Sequence, residues 1–354
     1  MPDSLRLPRS IRSSDVFLGI DLSSTSWHVT ARCEKETILS ASFPPSRTAL
    51  EPLLRRLKGH RVHSVYEAAC FGYGLHDWLS AGGVDSSVVS PAHVPVQIGS
   101  RVKTDRRDSL KLATTLEAGL LRPIFIPDAH QRACRELVRQ REKLRRHRQK
   151  AMTRLKGFFL TYDISTPPRP HWKGRFHSWL KALKLEDSVL DQVLEDARGL
   201  YFDLDRRAKA MDQMLHEMAC STEFAPWITL LTSVPGIGEL TALTLAVEIA
   251  DWNRFESGEA LSSYLGLTPS EYSSGDSVRH GHITRSGRGP LRALLTEASW
   301  LLIRKDPAMR AYYEGIRNRR GGKRAIVAVA RKLCHVLLAM AKRGETYRLG
   351  KSSS

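Results

Sequence analysis

The sequence predicts an α/β domain at the amino terminus, followed by a long helical insert and a mainly helical carboxyl-terminal domain. Three features predict this organisation: apolar runs alternating with amphipathic ones before residue 127, a dense basic run after it, and a glycine turn between apolar segments near residue 235. The chain has 354 residues, more than one ordinary hydrophobic core holds, so two or three domains are expected.

The expected boundaries follow changes in composition along the chain. They delimit a flexible tail at 1–14, the α/β domain at 15–127, the helical, coiled-coil-like insert at 128–220, the carboxyl-terminal domain at 221–345 and a second tail at 346–354.

Strands of two kinds predict the α/β domain. Val16–Asp21 is a continuous apolar run, typical of a buried strand, whereas Trp27–Cys33 alternates. The remaining predicted elements are strand Thr37–Phe43, helix Thr48–Lys58 with Ser46 as its cap, a strand ending at Glu67, helix Leu75–Ala81, strand Ser86–Val89 and helix Asp105–Gly119. Three strands in a meander, then helices interleaved with further strands, is the order of a ribonuclease-H-like domain.

The insert begins with a basic run between Arg132 and Lys156 that contains only two acids, Glu136 and Glu142, and a thin apolar stripe. We expect a long basic helix that contributes to a helical hairpin or dimer contact and faces phosphate; the alternative is a solvated helix face. The residues expected to contact nucleic acid here are Arg139, Arg145, Arg146, Arg148 and Lys150.

A helix, a tight turn and a second helix are predicted over Leu231–Ala242. Gly236 and Gly238 would let backbone N–H groups approach a phosphate, as in a helix-hairpin-helix motif, which grips nucleic-acid backbone without reading sequence. The alternative is a turn that needs glycine for its geometry alone.

Further helices and cations follow this turn. Gly289-Pro290 opens an apolar helix over Leu291–Leu302, and a basic helical segment is expected over Tyr312–Arg343. The cations expected near nucleic acid in this part of the chain are Arg279, Arg285, Arg319, Arg320 and Lys323.

The bulk composition narrows the class of partner. The net charge of +18 favours a polyanion, since each neutralised phosphate releases counterions; a merely basic protein is the alternative. The five cysteines are scattered, so neither a zinc site nor a disulfide framework is predicted. No apolar run reaches membrane-spanning length and no signal-peptide pattern is present, so we expect a cytoplasmic protein with no membrane partner.

Four acidic residues carry the predicted chemistry. Asp21 and Glu67 each end an apolar run, and Asp105 and Asp108 lie three apart on one helical face. Carboxylates gathered at one point repel one another unless a divalent cation joins them. The implied ion is Mg²⁺ or Mn²⁺, and the usual work of such a site is phosphodiester chemistry. The alternative is surface charge or helix capping, for which Asp105 is suitably placed.

Together these motifs resemble the insertion-sequence-110 family of bacterial transposases, the DEDD type to which the Piv pilin-gene invertases also belong. The resemblance extends from about Val16 to Arg343, and Ser109 departs from it, since alanine usually follows the fourth acid. The motifs are Gly19-Ile-Asp21, Tyr66-Glu67, Lys103-Thr-Asp-Arg-Arg-Asp108, Val234-Pro-Gly-Ile-Gly238, Leu265-Gly-Leu-Thr-Pro269, Ser274-Gly275 and Ile283-Thr-Arg-Ser-Gly287, followed by Leu291-Arg292.

The resemblance implies a RuvC-like amino-terminal domain whose four acids bind Mg²⁺, and a carboxyl-terminal transposase domain that supplies a serine nucleophile, Ser274. It implies a covalent phosphoserine link to DNA and a structured guide (bridge) RNA that pairs with both donor and target double-stranded DNA. It also implies a homo-oligomer, a dimer or tetramer, that acts at the bacterial nucleoid.

Alternatives remain open at this stage. Ser273, Ser277 and Ser286 compete with Ser274, because Ser-Ser-Gly-Asp is also a plain turn. A hydrolytic nuclease such as a junction resolvase would use the same acids with water as the nucleophile. A sugar kinase is suggested by Gly19–Ser26, but no second glycine-rich phosphate loop follows, and the charge of +18 is wrong for a small-molecule enzyme.

Overall fold

The computed structural model of the chain describes residues 14–68, 71–91, 94, 104–168, 171–271, 280–285 and 287–350. The chain divides into two compact units, Met1–Ile126 and Pro127–Ser354, and each is described by itself. The predicted tail at 1–14 lies almost wholly outside the described residues, as does the end of the second tail, 351–354.

The first unit is a mixed α/β structure. Its elements are β1 (Asp15–Leu22), β2 (Trp27–Cys33), β3 (Glu36–Phe43), α1 (Arg47–Arg56), β4 (Arg61–Glu67), α2 (Gly74–Ala81), β5 (Asp85–Val89) and α3 (Asp105–Glu117). The five strands form one sheet in the order β3-β2-β1-β4-β5. β1, β2 and β3 are antiparallel neighbours, whereas β4 pairs in parallel with both β1 and β5.

Helices cover both faces of this sheet. Leu18 and Ile20 of β1 share a buried cluster with Leu50 of α1 and Leu79 of α2, so these two helices pack on one face. Val65 of β4 packs instead with Leu112 of α3 on the opposite face. The alternation of side chains along β1 and β4 therefore decides which residues lie under α3.

The predicted elements of this unit are present, with boundaries that differ by a few residues. The mixed α/β architecture is confirmed, and the assignment to the ribonuclease-H-like class stays a prediction. Ser46 occupies the N-cap position of α1 as predicted, but its side chain makes no cap hydrogen bond, and its hydroxyl lies 2.7 Å from that of Thr48.

The second unit is mainly helical, as predicted. Its helices are α4 (Ala129–Thr161), α5 (Arg175–Ala182), α6 (Ser188–Ala219), α7 (Ala225–Thr232), α8 (Glu239–Ile249), α9 (Gly258–Tyr264), α10 (Gly289–Lys305), α11 (Pro307–Arg320) and α12 (Gly322–Arg343), with strands β6 (Pro269–Glu271) and β7 (His280–Ile283) paired antiparallel between α9 and α10. No helix among the described residues is long and apolar enough to cross a membrane.

The two longest helices, α4 and α6, pack against each other. Ion pairs join Arg141 to Asp212 and Arg148 to Asp205, so the numbering rises along one helix as it falls along the other and the pair is antiparallel. An aromatic cluster at one end of the α4–α6 pair includes Tyr201 and residues of α5. α4 and α6 thus form a hairpin of long helices with α5 between them in the chain, and a separate insert at 128–220 stays a prediction.

The remaining helices enclose the largest core. α8, α10 and α12 contribute fully buried residues such as Leu243, Leu295 and Leu333. The basic segment expected to be helical over 312–343 consists of two helices, and Gly321 lies between α11 and α12 with φ of 81°, outside the helical region.

A carboxyl-terminal strap, residues 345–350, folds back onto this core. The Tyr347 hydroxyl and the Gly350 N–H both donate to Oδ2 of the buried Asp306, at 2.6 and 2.9 Å. The Tyr347 N–H donates to Ser233 Oγ at 2.9 Å. Burial alone would raise the pKa of Asp306, but these hydrogen bonds and that from the Met309 N–H outweigh it and lower the pKa.

Candidate active site

The parallel pairing of β1 and β4 places Asp21 beside Glu67. Ile20 pairs with Tyr66 in the register, so the next residue of each strand, Asp21 and Glu67, lies at the same edge of the sheet. Both side chains point to the face opposite the apolar cluster of Ile20 and Tyr66, because side chains alternate along a strand. This is the face that α3 covers.

A glycine lets α3 lie directly on β1. A Cβ atom added at Gly19 would stand 2.1 Å from the Ser109 carbonyl oxygen and 2.4 Å from the Ala113 nitrogen. Real atoms do not approach so closely, so any larger residue at this position would push the helix away from the strand. Because Gly19 is only two residues before Asp21, this close packing also fixes the distance between α3 and β1 next to the Asp21 carboxylate.

Two contacts and one electrostatic interaction with β2 fix the direction of α3. Glu117 contacts Arg32, Ser109 contacts Thr30, and the charge of Asp105 acts on His28. As the residue number falls along β2, the partner on α3 therefore lies closer to the start of the helix. His28 pairs with Asp21 in the sheet register. The first turn of α3 therefore lies at the edge of the sheet where β1 ends.

Asp105 and Asp108 occupy that first turn. The Thr104 hydroxyl accepts a hydrogen bond from the Arg107 N–H at 3.4 Å and caps the helix, so Asp105 is not the cap. Negative side chains are favourable at this position because of the helix dipole. Asp105 is exposed, and Asp108 is half-buried like Asp21 and Glu67. The backbone thus brings all four predicted acids to one edge of the sheet.

The side chains as placed do not form a ready-made metal cage. Within the described residues, no three histidine, cysteine, aspartate or glutamate side chains converge closely enough to hold an ion. The donor set nevertheless suits a hard cation, since carboxylate oxygens are the ligands that Mg²⁺ and Mn²⁺ prefer.

His28 is a neighbour of the acids that the sequence did not single out. Its Nδ1 lies 2.9 Å from Ser42 Oγ and its Nε2 lies 3.1 Å from Ser40 Oγ. Burial lowers the pKa of His28, which Asp105 opposes and Arg106 reinforces. The signal that could have found it is the alternation of β2, which puts residues 28, 30 and 32 on the face of the acids.

The predicted nucleophile, Ser274, lies outside the described residues, as do Ser273, Ser277, Ser286 and Arg279. The structure describes the two strands on either side of that segment. β6 and β7 flank residues 272–279, and Glu271 pairs with His280. Arg285 is exposed just beyond β7 and has a left-handed φ of 54°.

The two glycines of the predicted helix-hairpin-helix turn have different surroundings. Gly236 has φ of 97°, and an added Cβ there would stand 2.6 Å from the Ala298 carbonyl oxygen, so this glycine is needed for packing on α10. Gly238 is exposed at the N-cap of α8, with open space where a side chain would be. Only the surroundings of Gly238 leave room for a phosphate, and phosphate binding by this turn stays a prediction.

Much of the predicted basic surface of α4 is engaged within the chain. Arg139 makes a bidentate ion pair with the buried Glu248, both N···O distances being 3.0 Å. Arg145 and Arg146 share Glu142, and the Glu142 pKa is lowered by the hydrogen bond from Arg145 and then by that from Arg146, against the effect of burial.

Arg145 and Arg146 nevertheless stay exposed, at 50% and 57%, and other predicted cations are exposed too. Lys150 on α4 is exposed, and so are Arg319, Arg320 and Lys323 around the break between α11 and α12. The Arg319 Nε donates to the Gly315 carbonyl oxygen at 3.0 Å, which still leaves its side chain at the surface. Contact of these residues with nucleic acid stays a prediction.

Comparisons with known proteins match two parts of the chain. A family model for the DEDD-type IS110 transposase domain matches residues 18–163, and a model described as the transposase IS116/IS110/IS902 family matches residues 228–314. The chain is 34% identical over 266 residues to a putative transposase of Sinorhizobium fredii, an alignment that spans 74% of this chain and 63% of that relative's length.

Two further relatives are aligned over more of their length. The transposase for insertion sequence element IS1111A of Coxiella burnetii is 26% identical over 299 residues, 82% of this chain and 80% of its own. A pilin gene-inverting protein of Moraxella bovis is 23% identical over 347 residues, 94% of this chain and 98% of its own.

An acidic sheet edge in one unit, a basic helical second unit and these matches define the class of protein, a DNA transposase or recombinase. The chain belongs to the IS116/IS110/IS902 family of insertion-sequence transposases, as its sequence motifs predict. Its DEDD-type domain suggests dependence on a divalent metal.

Proposed function

We propose that this protein cuts and rejoins DNA at the ends of a bacterial insertion sequence, with Ser274 as the nucleophile and Asp21, Glu67, Asp105 and Asp108 as ligands of Mg²⁺ or Mn²⁺. The observation that carries the proposal is the placement of all four acids at one edge of the sheet, on the face of α3. A purely structural role would not require acids from two strands and a helix to share one edge.

The acids and the serine have separate tasks. A bound divalent ion would supply Lewis-acid stabilisation of charge on phosphoryl and attacking oxygens. The four carboxylates would hold and orient that ion, and Gly19 keeps α3 close enough for Asp105 and Asp108 to take part. A serine hydroxyl needs such help, since it is a poor nucleophile until it loses its proton.

The covalent step conserves a phosphodiester bond. The Ser274 oxygen forms a bond to phosphorus while the bond from phosphorus to one deoxyribose oxygen breaks, and that oxygen leaves with a proton. A deoxyribose hydroxyl of another strand then attacks the phosphoserine, which restores the serine and yields the recombined strand. No ATP is consumed, since each phosphoryl bond broken is replaced by another of the same kind.

The proposed partners follow from charge and from the family. We propose donor and target double-stranded DNA, a structured guide RNA that selects them, and a homo-oligomer, a dimer or tetramer, at the nucleoid. The net charge of +18 and the exposed cations Lys150, Arg319, Arg320 and Lys323 support a polyanionic partner. The exposed N-terminus of α8 at Gly238 supports a contact with backbone phosphate.

The alternative is a metal-dependent nuclease that uses the same acids with water as the nucleophile. The DEDD type of the matched domain favours it, because that type is defined by the acids and not by a serine. The two functions differ in one chemical species, a covalent bond between protein and DNA.

The test is a search for that bond. The full chain, with the RNA that copurifies with it, is incubated with Mg²⁺ and a labelled DNA containing an element end, and denaturing gels separate free from protein-linked DNA. The proposal predicts a linked species that disappears in Ser274→Ala and persists in Ser273→Ala. Cleavage that continues in Ser274→Ala without any linked species would establish the nuclease instead.

The role of RNA has its own measurement. RNA isolated with the purified protein is sequenced, and the proposal expects one species whose unpaired loops are complementary to donor and target DNA. Removal of that RNA with ribonuclease should abolish site-specific cleavage. Cleavage at the same site after complete removal would contradict the guide.

A further inference from the structure

A buried polar contact joins α3 to the sheet directly behind the acids. Thr30 on β2 and Ser109 on α3 are both fully buried, and their side-chain oxygens lie 2.7 Å apart. The Ser109 hydroxyl also lies 3.1 Å from the Arg106 carbonyl oxygen and can donate to it, which leaves Ser109 free to accept from Thr30. A buried pair of this kind is directional, because sliding of the helix would break the Thr30–Ser109 hydrogen bond, and among the described contacts Thr30 would keep only a longer one, 3.5 Å, with Ser40 Oγ.

The position of this contact links it to the acids. Thr30 pairs with Gly19 in the sheet register, at the place where α3 leaves no room for a side chain on β1. Towards the carboxyl end of β1 the next pair in the register is Ile20 with Val29, and the pair after it is Asp21 with His28. On the helix, Ser109 directly follows Asp108 and is about 6 Å along the axis from Asp105.

A second anchor holds the far end of the same helix. Glu117, nearly buried, accepts from Arg32 Nε at 2.7 Å and from the Lys35 N–H at 2.6 Å. Arg32 also donates to the Lys35 carbonyl oxygen. Glu34 and Lys35 form the β2–β3 turn with φ of 49° and 65°, a conformation unfavourable for residues other than glycine, so Glu117 stabilises the turn as well as the helix.

We propose that Thr30 and Ser109 are positioning residues of the acidic site: their hydrogen bond sets the distance between Asp21 on the strand and Asp105 and Asp108 on the helix. The Glu117 anchor keeps the helix from pivoting about that point. The inference rests on the proposed function, since it assigns the pair a role in holding the metal ligands in place.

The geometry explains why a hydroxyl is useful here. The absence of a side chain at Gly19 lets α3 lie close to β1, and close packing sets the shortest distance between them. Packing alone does little to stop the helix from sliding along the strand. A hydrogen bond between two short side chains resists sliding, since it weakens steeply with distance and angle. Metal sites depend on outer partners of this kind, whose loss lowers affinity.

The test compares Mn²⁺ binding with thermal stability in the full-length protein. Mn²⁺ binding is followed by electron paramagnetic resonance, with Mg²⁺ as a competitor, and the melting temperature is recorded for each variant. Ser109→Ala should weaken Mn²⁺ binding by on the order of 10-fold, the lower end for an outer-shell partner, and lower the melting temperature. Thr30→Ser keeps the hydroxyl and should retain wild-type affinity.

The double variant Thr30→Val with Ser109→Ala separates positioning from stability. Replacing both partners by apolar groups of similar shape should restore much of the melting temperature, while Mn²⁺ binding stays weak. Thr115→Val is the matched control, because the Thr115 hydroxyl bonds only within α3, to the Lys111 and Leu112 carbonyl oxygens among the described contacts. It should change neither the affinity nor its Mg²⁺ competition.

Three outcomes would overturn the inference. If wild type binds Mn²⁺ and the Ser109→Ala and double variants bind it equally well, the pair is not a positioning device, and the proposed function is unaffected. If affinity recovers with the melting temperature in the double variant, the contact is merely structural. If wild type binds no divalent ion, with or without DNA, both the inference and the metal role of the four acids fail.

Discussion

Two charge-rich helices, α3 and α4, show how differently one sequence uses its charges. α3 carries Asp105 and Asp108 in its first turn, at the edge of the sheet and open to solvent or half-buried. α4 carries a long run of arginines, of which several make ion pairs with acids of α4, α6 or α8. We propose that the acids of α3 meet a ligand, whereas several arginines of α4 are paired with acids of the same chain.

The comparison teaches that a charge run does not reveal how much charge is available to a partner. The acids that neutralise α4 lie 57 residues away in the case of Asp205 and 109 in the case of Glu248. The local sequence of α4 offers only Glu136 and Glu142 as partners for its arginines. The acids of α3, by contrast, need only the strand and helix boundaries to be located.

The largest expected effect is on the α3 side of the comparison. Asp105→Asn should reduce DNA cleavage at least about 10²-fold, because an amide cannot replace a carboxylate in charge stabilisation around a divalent ion. Single-turnover cleavage in Mg²⁺ measures it. Glu51→Gln, an exposed acid of α1, is the control and should cleave normally. Near-normal cleavage by Asp105→Asn would remove that residue from the site.

An intermediate effect is expected from the buried acid that pairs with α4. Asp205, 9% exposed, lies 2.8 Å from both Arg148 Nη1 and Lys209 Nζ. Asp205→Asn should lower the free energy of unfolding by about 2 kcal/mol at neutral pH, since it leaves two cations without their counterion. Denaturant titration of the full chain measures this loss.

The pH dependence of this loss has a definite sign. Burial alone would raise the pKa of Asp205, but Lys209 and Arg148 outweigh it and lower the pKa. The stabilisation is therefore complete above the unfolded pKa of about 3.9 and is lost as the pH falls through the lower folded value. The difference between wild type and Asp205→Asn should shrink in acid. A difference that stays constant wherever both remain folded would contradict the ion-pair explanation.

The smallest expected effect compares two cations of α4. Lys150 is exposed, so Lys150→Gln should weaken nucleic-acid binding a few-fold and lower the slope of log affinity against log salt by about 1. Arg148→Gln should change the slope less and stability more, because Arg148 pairs with Asp205. Fluorescence anisotropy at several salt concentrations distinguishes them. Equal slopes for both variants would show that internal pairing does not decide availability.

Much of the first unit could be predicted from its sequence. Two apolar runs, Val16–Asp21 and the one ending at Glu67, have a length and composition that favour a buried strand. Both strands are present, and the acids lie at or next to their ends. The Asp-x-x-Asp spacing needs only helical geometry to put both carboxylates near one face.

The parts that could not be predicted depend on residues distant in sequence. The Thr30–Ser109 contact spans 79 residues and becomes apparent only when the register of β2 against β1 is known. The packing role of Gly236 depends on its contact with Ala298, which no local sequence pattern indicates. The break at Gly321 follows from a local signal, since Gly321-Gly322 is a glycine pair of the kind that marks turns, although the prediction of a basic helical segment over 312–343 made no use of it.

The strap at 345–350 has a practical consequence for anyone who labels or truncates this protein. Tyr347 and Gly350 are tied to Asp306, and the Tyr347 backbone to Ser233, two positions before Pro235. A fluorescent tag joined close behind Gly350, or a shortened reading frame that ends at Gly344, would remove or crowd hydrogen bonds that reach the α7–α8 turn. Probes at this end therefore need a generous spacer.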